Sequence, residues 1–279
     1  MVHRWRCRHC SFSVWSASRE ETVETVQSHM LDHHRGNLSQ AEFQLRWECP
    51  YCDASGQSHD QSAGVQQFKR HLYDHVEPLM ESSVHVADDI DGTGSVLVKA
   101  PTDSAGADNA RIHFLAPCDI VLFVTTNPAR RVELLAQRLD EWPAWTIVLT
   151  TKTNPLAGVE GIDIGNVPLE VVQLDGTLGL RDLGETISRV LDEQDTTQAK
   201  LSVEFDILSE IVQKFQVQTV FRFLHVLSKR LERSGALSHY YVDSNRQSAS
   251  TLNVLEELFD LSITAEGNAF TSEPQLSTR

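Results

Sequence analysis

Lysine and long hydrophobic runs are what this sequence of 279 residues most clearly lacks. Only six lysines occur, and no apolar run approaches the roughly 18 residues that a membrane-spanning helix needs. The first ten residues are basic and polar, and no apolar stretch follows them, so we expect no secretory signal. These absences argue against a membrane protein and predict a cytoplasmic one.

Positive charge is also scarce, because 24 Lys and Arg residues face 39 Asp and Glu residues, for a net charge of −15. Most of the excess acid follows residue 80, where 16 basic residues face 29 acidic ones. Carboxylates keep a surface hydrated at high salt. The composition therefore favours a protein of a salt-rich, halophilic cytosol over an ordinary acidic protein. The hydrophobic fraction of 41% and the length allow one to three domains, each with a core.

Cysteine is rare as well, and its few copies are clustered. Of five cysteines, four form two Cys-x-x-Cys pairs near the N-terminus, and Cys118 stands alone. In a cytosolic protein, such pairs more often bind a metal or act in redox chemistry than form structural disulfides. We interpret Cys118, which has no nearby base, as a buried thiol.

The two pairs belong to a unit that the chain repeats at an offset of 42 residues, within residues 5–33 and 47–75. Trp5 aligns with Trp47 and Met30 with Leu72, and both copies read C-x2-C-x18-H-x3-H. Repetition in register favours a built site over scattered Cys and His, and over a redox pair.

Each unit offers four metal ligands at a spacing that has a mechanical reason. A Cys-x-x-Cys turn points two thiolates at one place, and His-x-x-x-His on a helix sets two imidazoles one turn apart. Four such donors suit tetrahedral Zn2+, in closed structural sites. His34 is an alternative to His33, but it aligns with Val76 in the second unit. The expected ligands of two zinc ions per chain are Cys7, Cys10, His29 and His33, and Cys49, Cys52, His71 and His75.

A helix precedes each histidine pair. Ser18 and Glu21 form a capping-box pattern before the first, and Val23, Val26 and Met30 share the face of its histidines. A unit this small cannot bury a sufficient core of its own. Bound metal would supply on the order of 10 kcal/mol of folding free energy.

The units resemble the zinc-finger family that uses two Cys and two His per metal, over residues 5–76. That resemblance implies ββα-like repeats and a partner that is either nucleic acid or protein. The gap of 18 residues between Cys and His departs from the approximately 12 of DNA-reading fingers. In finger one, the base-reading positions lie beside glutamates, which would repel the phosphates of a nucleic acid. In finger two, the base-reading positions include Gln66, Gln67 and Arg70, which are side chains that can read bases. The base-reading positions of finger one are Thr22, Glu24, Thr25 and Ser28.

After the fingers, the chain changes character. We expect finger one at residues 1–36, finger two at 37–78, an acidic linker at 79–95, an α/β domain at 96–267 and a disordered tail at 268–279. In the domain, strand-like runs alternate with amphipathic helices, which predicts a mostly parallel sheet with helices on both faces. The predicted strands are Val96–Ala100, Asp119–Thr125, Thr146–Thr150, Leu169–Leu174, Leu201–Asp206, Ala236–Val242 and Leu261–Ala265. The predicted helices are Arg130–Trp142, Leu180–Gln194, Val217–Ser234 and Ser250–Phe259.

Residues 219–227 and 235–243 resemble a haloarchaeal domain of the RecA/KaiC type, and the resemblance extends over residues 93–265. It implies a P-loop ATPase sheet whose haloarchaeal members often lack the ATPase residues. The matching loop is degenerate, because Pro101 replaces the first glycine, Ala107 the lysine and Asp108 the magnesium-binding hydroxyl. Gly106 fits the second glycine and Asp206 the Walker B carboxylate, which we interpret as a polar residue at a strand end.

No catalytic constellation stands out elsewhere. His225 and His239 lie in apolar runs, where a histidine is more often packed than catalytic. We therefore expect a non-enzymatic regulatory or adaptor protein, whose fingers recognise nucleic acid or a protein. Its RecA-like domain would serve as an interaction platform, and the chain as a possible subunit of a homo-oligomer. The alternative is a divergent nucleotide-binding ATPase that its zinc fingers regulate.

Overall fold

The computed structural model describes residues 1–34, 38–41, 44–159, 163–176, 179–194 and 199–272. The chain divides into two compact units. The N-terminal unit contains Met1–Val84 together with the C-terminal residues from Asn268, and the α/β unit contains His85–Gly267. Within the described residues, no helix has the length and apolar character that crossing a membrane would require.

The N-terminal unit repeats a hairpin followed by a helix, as the 42-residue offset predicts. In the first copy, strands β1 (His3–Arg6) and β2 (Ser13–Ser16) pair antiparallel and precede helix α1 (Arg19–His33). The second copy and its flanking strands are β3 (Leu38–Ala41), β4 (Gln44–Glu48), β5 (Ser55–Ser58), helix α2 (Gln61–Val76) and β6 (Glu81–Ser82). Strand β4 pairs with both β3 and β5, and β6 pairs with β1.

The caps of the two helices explain where each begins. The Ser18 side chain accepts a hydrogen bond from the Glu21 backbone N–H, and the Asp60 side chain accepts one from Ala63. Both bonds satisfy a donor that the first helical turn leaves without a partner. Ser18 therefore caps α1 as predicted. The reciprocal bond of a capping box does not form, because the Ser18 N–H donates to Ser16 Oγ, and Ser16 Oγ donates to the Glu21 carboxylate.

Both repeats contribute to one hydrophobic core in the N-terminal unit. From the first repeat, Trp5, Val26 and Met30 are buried, and from the second, Phe68 and Leu72 are buried in the same cluster. A unit of this kind is too small for two separate cores, and sharing one removes more apolar surface from water. The two fingers are therefore one packed body.

Among its described residues, the α/β unit contains seven parallel strands. The sheet order is β10-β9-β8-β11-β12-β7-β13, and every neighbouring pair is parallel. The strands are β7 (Gly94–Lys99), β8 (Ile120–Val124), β9 (Trp145–Thr150), β10 (Leu169–Gln173), β11 (Leu201–Phe205), β12 (Leu237–Val242) and β13 (Leu261–Glu266). The helices are α3 (Ala105–Leu115), α4 (Pro128–Arg138), α5 (Leu180–Gln194), α6 (Leu208–Lys214), α7 (Val217–Arg233) and α8 (Ala249–Glu256).

Helices cover both faces of this sheet. Val121 and Phe123 of β8 pack in one cluster with Leu115 of α3 and Leu135 of α4. The alternate residues of β8, Leu122 among them, belong to a larger cluster on the other face, with side chains from α5 to α8. Successive strand residues point to opposite faces, so a strand covered on both sides is apolar throughout. The expected α/β class is thus confirmed.

Most of the predicted elements of the α/β unit agree with the structure within a few residues, and α5 has the predicted bounds. Two helices, α3 and α6, were not predicted. The segment 79–95, expected to be a linker, contains a 3-10 helix (Val86–Ile90) with Val86 and Ala87 buried in the α/β unit. This part of the segment is therefore folded into the α/β unit and is not a linker. The prediction missed it because the segment is acidic overall, although it buries two apolar residues.

The expected disordered tail also needs correction. Residues 269–272 form strand β14 (Ala269–Ser272), which pairs antiparallel with β2 in the N-terminal unit. Ala269 is buried in that unit's core, and this burial offsets the entropy of ordering the strand. The rest of the predicted tail, 273–279, lies outside the described residues.

Candidate metal centres

The first group of ligands contains Cys7, Cys10, His29 and His34, whose ligand atoms all lie within 4.8 Å of one another. The two imidazole Nε2 atoms are 3.2 Å apart, and Cys10 Sγ lies 3.3 Å from His29 Nε2. Tetrahedral zinc bonds, about 2.3 Å to sulfur and about 2.0 Å to nitrogen, would place two nitrogens about 3.3 Å apart and sulfur and nitrogen about 3.5 Å apart. The donors therefore fit a tetrahedral ion.

The second group, Cys49, Cys52, His71 and His75, has the same arrangement within the same 4.8 Å limit. His75 Nε2 lies 3.2 Å from His71 Nε2, and Cys52 Sγ lies 3.4 Å from that nitrogen. These distances between ligand atoms match those of the first group. Each of the two groups could therefore hold a metal ion.

One ligand differs from the sequence prediction, because the structure brings His34 and not His33 into the first group. Helix α1 ends at His33, and His34 is its C-cap with φ −117° and ψ 42°, outside the helical region. The His33 side chain is exposed. In the second repeat, α2 continues to Val76, so His75 stays one helical turn after His71. The repeat alignment failed because it assumed that both helices have the same length.

Each Cys-x-x-Cys turn also donates backbone hydrogen bonds to its sulfurs. The His9 N–H donates to Cys7 Sγ and the Tyr51 N–H donates to Cys49 Sγ, both at 3.4 Å. His9 and Tyr51 occupy the same position in the two repeats. Such bonds orient a thiolate ligand and stabilise its charge, so the backbone of both turns suits metal-bound sulfur.

Burial sets the protonation of the ligands. It lowers the pKa of His29 to about 4, with further lowering from His34 and His33. It also raises the pKa of the Cys7 and Cys49 thiols. The buried imidazole is thus in the neutral form that binds metals, whereas the thiols must lose a proton when an ion binds.

The two helices of the N-terminal unit also contact each other directly. Gln27 Nε2 donates a hydrogen bond of 2.9 Å to the Lys69 carbonyl, and Tyr51 Oη donates to Met30 Sδ at 3.7 Å. With the shared core, these contacts hold the two metal groups in one body. The fingers of DNA-reading arrays instead follow the major groove one after another.

Some of the positions expected to read bases are not accessible. Thr22 is fully buried, and its Oγ1 donates to the Ser18 carbonyl. Thr25 Oγ1 donates to the Glu21 carbonyl at 2.8 Å. Among the expected positions of finger one, Glu24 and Ser28 remain exposed.

The degenerate loop after β7 leads into the unpredicted helix α3. The Ser104 side chain caps this helix by accepting a hydrogen bond from Ala107 N–H at 3.2 Å. A Cβ on Gly106 would lie 2.3 Å from the Ala265 carbonyl oxygen. The close approach of α3 to β13 therefore requires a glycine at this position. This packing accounts for a glycine where a P-loop would have one, and no phosphate site is needed to explain it.

Two buried arginines hold Asp206, the residue at the Walker B position. Arg111 Nη2 donates to Asp206 Oδ1 at 2.6 Å, and Arg131 Nη2 donates to Asp206 Oδ2 at 2.9 Å. Thr125 Oγ1 donates to the same Oδ2 at 2.9 Å. Arg131 Nε also donates to Oδ2, at 3.1 Å, so four side-chain N–H and O–H groups bond the two oxygens of Asp206. This network goes beyond the role expected from the sequence, that of a polar residue at a strand end.

The network extends to two more carboxylates. Arg111 Nε donates to Glu204 Oε1 at 3.0 Å, and its Nη1 donates to Asp108 Oδ1 at 3.1 Å. Asp108 also receives Arg130 Nη2 at 2.9 Å. Arg111, Arg130 and Arg131 thus share three carboxylates, and Arg130 also pairs with the exposed Asp103. Arg111 also stacks on the ring of Tyr241, with its Cζ 4.2 Å from the ring centroid.

The pKa values of the two buried acids move in opposite directions. Burial raises the pKa of Glu204 to about 7, against the opposing pull of Arg111 and Arg131. Burial would also raise the pKa of Asp206, but Arg111 and Arg131 outweigh it and hold that pKa below its ordinary value. Asp206 is therefore the charged centre of the network.

Sequence reasoning missed Arg111 and Arg131, although a signal was present. Arg111 follows Ala110 on a helix that also carries the buried Phe114, and Glu204 lies between Val203 and Phe205 in a buried strand. Buried charges occur almost only when they are paired. An arginine on a buried helix face and a glutamate within a buried strand are therefore expected to form an ion pair.

The remaining candidates have structural roles. His239 is buried between Ser202 Oγ and Tyr241 Oη, 3.0 Å from each, as expected of a packed histidine. His225, also expected to be packed, is exposed instead. Cys118 Sγ donates to the Phe114 carbonyl at 3.6 Å, and burial raises its pKa to about 11, so the thiol is protonated and unreactive.

These features define a protein with an α/β sheet unit and an N-terminal unit that has two Cys2His2 groups. The chain belongs to the family described as "Family of unknown function (DUF7504)", whose model matches residues 93–265. The match covers the parallel sheet and leaves out the metal-binding repeats. No curated protein matches the chain significantly.

Two solved structures from Pyrococcus horikoshii are similar in fold. One is the uncharacterized protein PH0321, solved in complex with an unknown peptide, at 11% identity and a TM-score of 0.43, covering 61% of this chain and 76% of that protein. The other is PH0250 of strain OT3, at 14% identity and a TM-score of 0.40, covering 62% of this chain and 82% of that protein.

Proposed function

We propose that the chain is a zinc-binding, non-enzymatic adaptor whose N-terminal unit recognises a protein and whose α/β unit is an interaction platform. Zinc is the metal that suits two thiolates and two imidazoles in a tetrahedron. All four positions are protein ligands in each group, which leaves no open position for a substrate. Bound zinc would hold the fold together, and the ligands themselves would do no chemistry.

The engagement of Asp206 by Arg111 and Arg131 is the observation that supports a non-enzymatic α/β unit. In a P-loop ATPase, the equivalent carboxylate helps to hold Mg2+, and a lysine neutralises the phosphates. Here two guanidinium groups occupy both oxygens of Asp206, and Ala107 stands where the lysine would be. A nucleotide with Mg2+ would have to displace buried ion pairs, which costs several kcal/mol.

The charge and burial of α1 favour a protein partner over nucleic acid. Glu20, Glu24 and Asp32 are exposed on this helix and would repel phosphates, which usually provide much of the affinity for nucleic acid. The burial of Thr22 removes one base-reading position. Because the two fingers share a core, they also lack the independence with which finger arrays follow a groove.

Three measurements on the full chain test this proposal. We expect native mass spectrometry to find two zinc ions per chain, and calorimetry to find no ATP or ADP binding in the presence of Mg2+. A gel shift with random duplexes should show no retardation, with or without zinc. Micromolar ATP affinity would favour the divergent ATPase, and zinc-dependent retardation would favour nucleic acid as the partner.

A further inference from the structure

A groove on the α/β unit lies between helices α5 and α7 and has a volume of about 860 Å³. Leu180, Phe223 and Leu227 provide apolar lining, and Val226 beside them is 69% exposed. The two helices come close together at Gly184, where a Cβ would lie 3.4 Å from the Phe223 ring. Val226 thus extends the apolar lining of the groove onto the exposed surface.

The two helices run side by side in the same direction. Gly184 lies beside Phe223, and eight residues later Asp192 forms an ion pair with Arg230. From Leu180 to Asp192 the groove follows about 18 Å of helix, at 1.5 Å per residue. That length matches about three turns of a further α-helix laid into the groove.

The charges along the groove are not fully paired within the unit. Arg181 pairs with Glu185 at 2.9 Å, and Arg230 pairs with Asp192. Arg189 and Arg222 are exposed, and no ion pair joins either to a carboxylate within the described part of the chain. Glu193 is the one groove acid left over. In a chain of net charge −15, the groove thus offers spare positive charge beside its apolar floor.

We propose that this groove binds a single amphipathic α-helix of another protein, with apolar residues at i, i+3, i+4 and i+7 and carboxylates on its flanks. The apolar residues would pack on Leu180, Phe223 and Val226, which line the groove, and the carboxylates would pair with Arg189 and Arg222. A second copy of this chain would bring an equivalent concave groove, and two concave surfaces do not fill each other. The inference rests on the proposed platform role of the α/β unit and gives that role a partner.

Fluorescence anisotropy with two labelled peptides of about twelve residues tests the proposal on the full chain. Both peptides carry leucine at the four apolar positions, and they differ only in having glutamate or lysine on the flanks. We expect the glutamate peptide to bind at least about tenfold more tightly than the lysine peptide. Raising the salt concentration should reduce this preference without abolishing binding, because screening affects only the charges.

Variants of the chain separate the groove from the rest of the surface. Val226→Asp should weaken the glutamate peptide about tenfold or more, because it removes apolar contact and adds a carboxylate one helical turn from Arg222 and Arg230. Val254→Asp, at an exposed valine of α8, should change the binding of neither peptide. The double variant R189E/R222E should reverse the preference between the two peptides. The control K229E/R233E reverses two charges elsewhere on α7 and should leave the preference unchanged.

Three results would overturn the proposal. One is equal binding of the two peptides, another is a failure of either to bind, and the third is a dimer of the chain that Val226→Asp dissociates. Calorimetry with ATP is independent of all three. If the peptides fail and ATP also does not bind, the groove inference alone is wrong; if ATP binds, the platform role itself is wrong.

Discussion

Arg111 and Asp206 form a hydrogen-bonded ion pair of 2.6 Å in which both side chains are buried. Arg111 lies on α3, just after the degenerate loop, and Asp206 follows β11, two strands away from β7 in the sheet. The pair therefore joins the helix that follows the degenerate loop to the carboxyl end of β11. In this chain the charges at these positions satisfy each other.

Removing one member of this network should destabilise the protein strongly. Asp206→Asn would leave Arg111 and Arg131 as buried charges with too little compensation, so we expect a loss of about 3–5 kcal/mol in the free energy of unfolding. Urea denaturation followed by circular dichroism measures this change. The control is Asp103→Asn, at an exposed partner of Arg130, which should cost less than about 1 kcal/mol. Similar losses for the two variants would contradict a buried network.

The identity of the fourth ligand can be decided by a matched pair of variants. His34→Ala should reduce zinc from two ions per chain to one, because it removes an imidazole from the first group. His33→Ala should retain both ions, because its side chain points to solvent. Native mass spectrometry reads the metal content directly. The assignment fails if the His33 variant loses zinc and the His34 variant keeps it.

Close packing of α3 against β13 predicts an unusual sensitivity at Gly106. Gly106→Ala would place a methyl group 2.3 Å from the Ala265 carbonyl oxygen, and relieving that clash should cost about 1–3 kcal/mol. Gly176→Ala is the control, because a Cβ there meets no atom within 4 Å, and it should change stability by less than about 0.5 kcal/mol. Thermal unfolding of both variants provides the comparison, and equal melting temperatures would contradict the packing.

Acid should destabilise the α/β unit through His113. Its ring stacks on His85 with centroids 3.9 Å apart, and its Nε2 accepts the Val86 N–H at 3.1 Å. Burial, with a contribution from His85, lowers the pKa of His113 to about 3. The unfolded chain takes up this proton below about pH 6.5, whereas the folded chain does not until about pH 3, so stability is lost as the pH falls through that range.

His113→Gln tests this linkage, because glutamine can still accept the Val86 N–H but does not titrate. Between pH 7 and pH 5, the wild type should lose about 2 kcal/mol more unfolding free energy than the variant. Urea unfolding at several pH values measures both curves. Metal release in acid affects both proteins alike and cancels in the difference. Parallel curves would show that His113 does not titrate as inferred.

Much of the fold could be predicted because its signals are local. The alternation of apolar strands with amphipathic helices indicated the parallel sheet, and α5 was predicted with its correct bounds. Helix α3 was missed because residues 101–108 match a loop pattern and because Arg111 interrupts its apolar face. The segment 85–90 was missed because acidic composition hides the two apolar residues that it buries.

The sequence by itself determined the two Cys-x-x-Cys pairs, the 42-residue repeat and the class of the α/β unit, because these depend on spacing along a few residues. Only the tertiary structure decided that His34 replaces His33, since one residue of helix length changes where a side chain points. It also decided the shared core of the fingers and the pairing of Arg111 with Asp206. Those contacts join residues far apart in the chain, so their geometry depends on the packing of the whole unit.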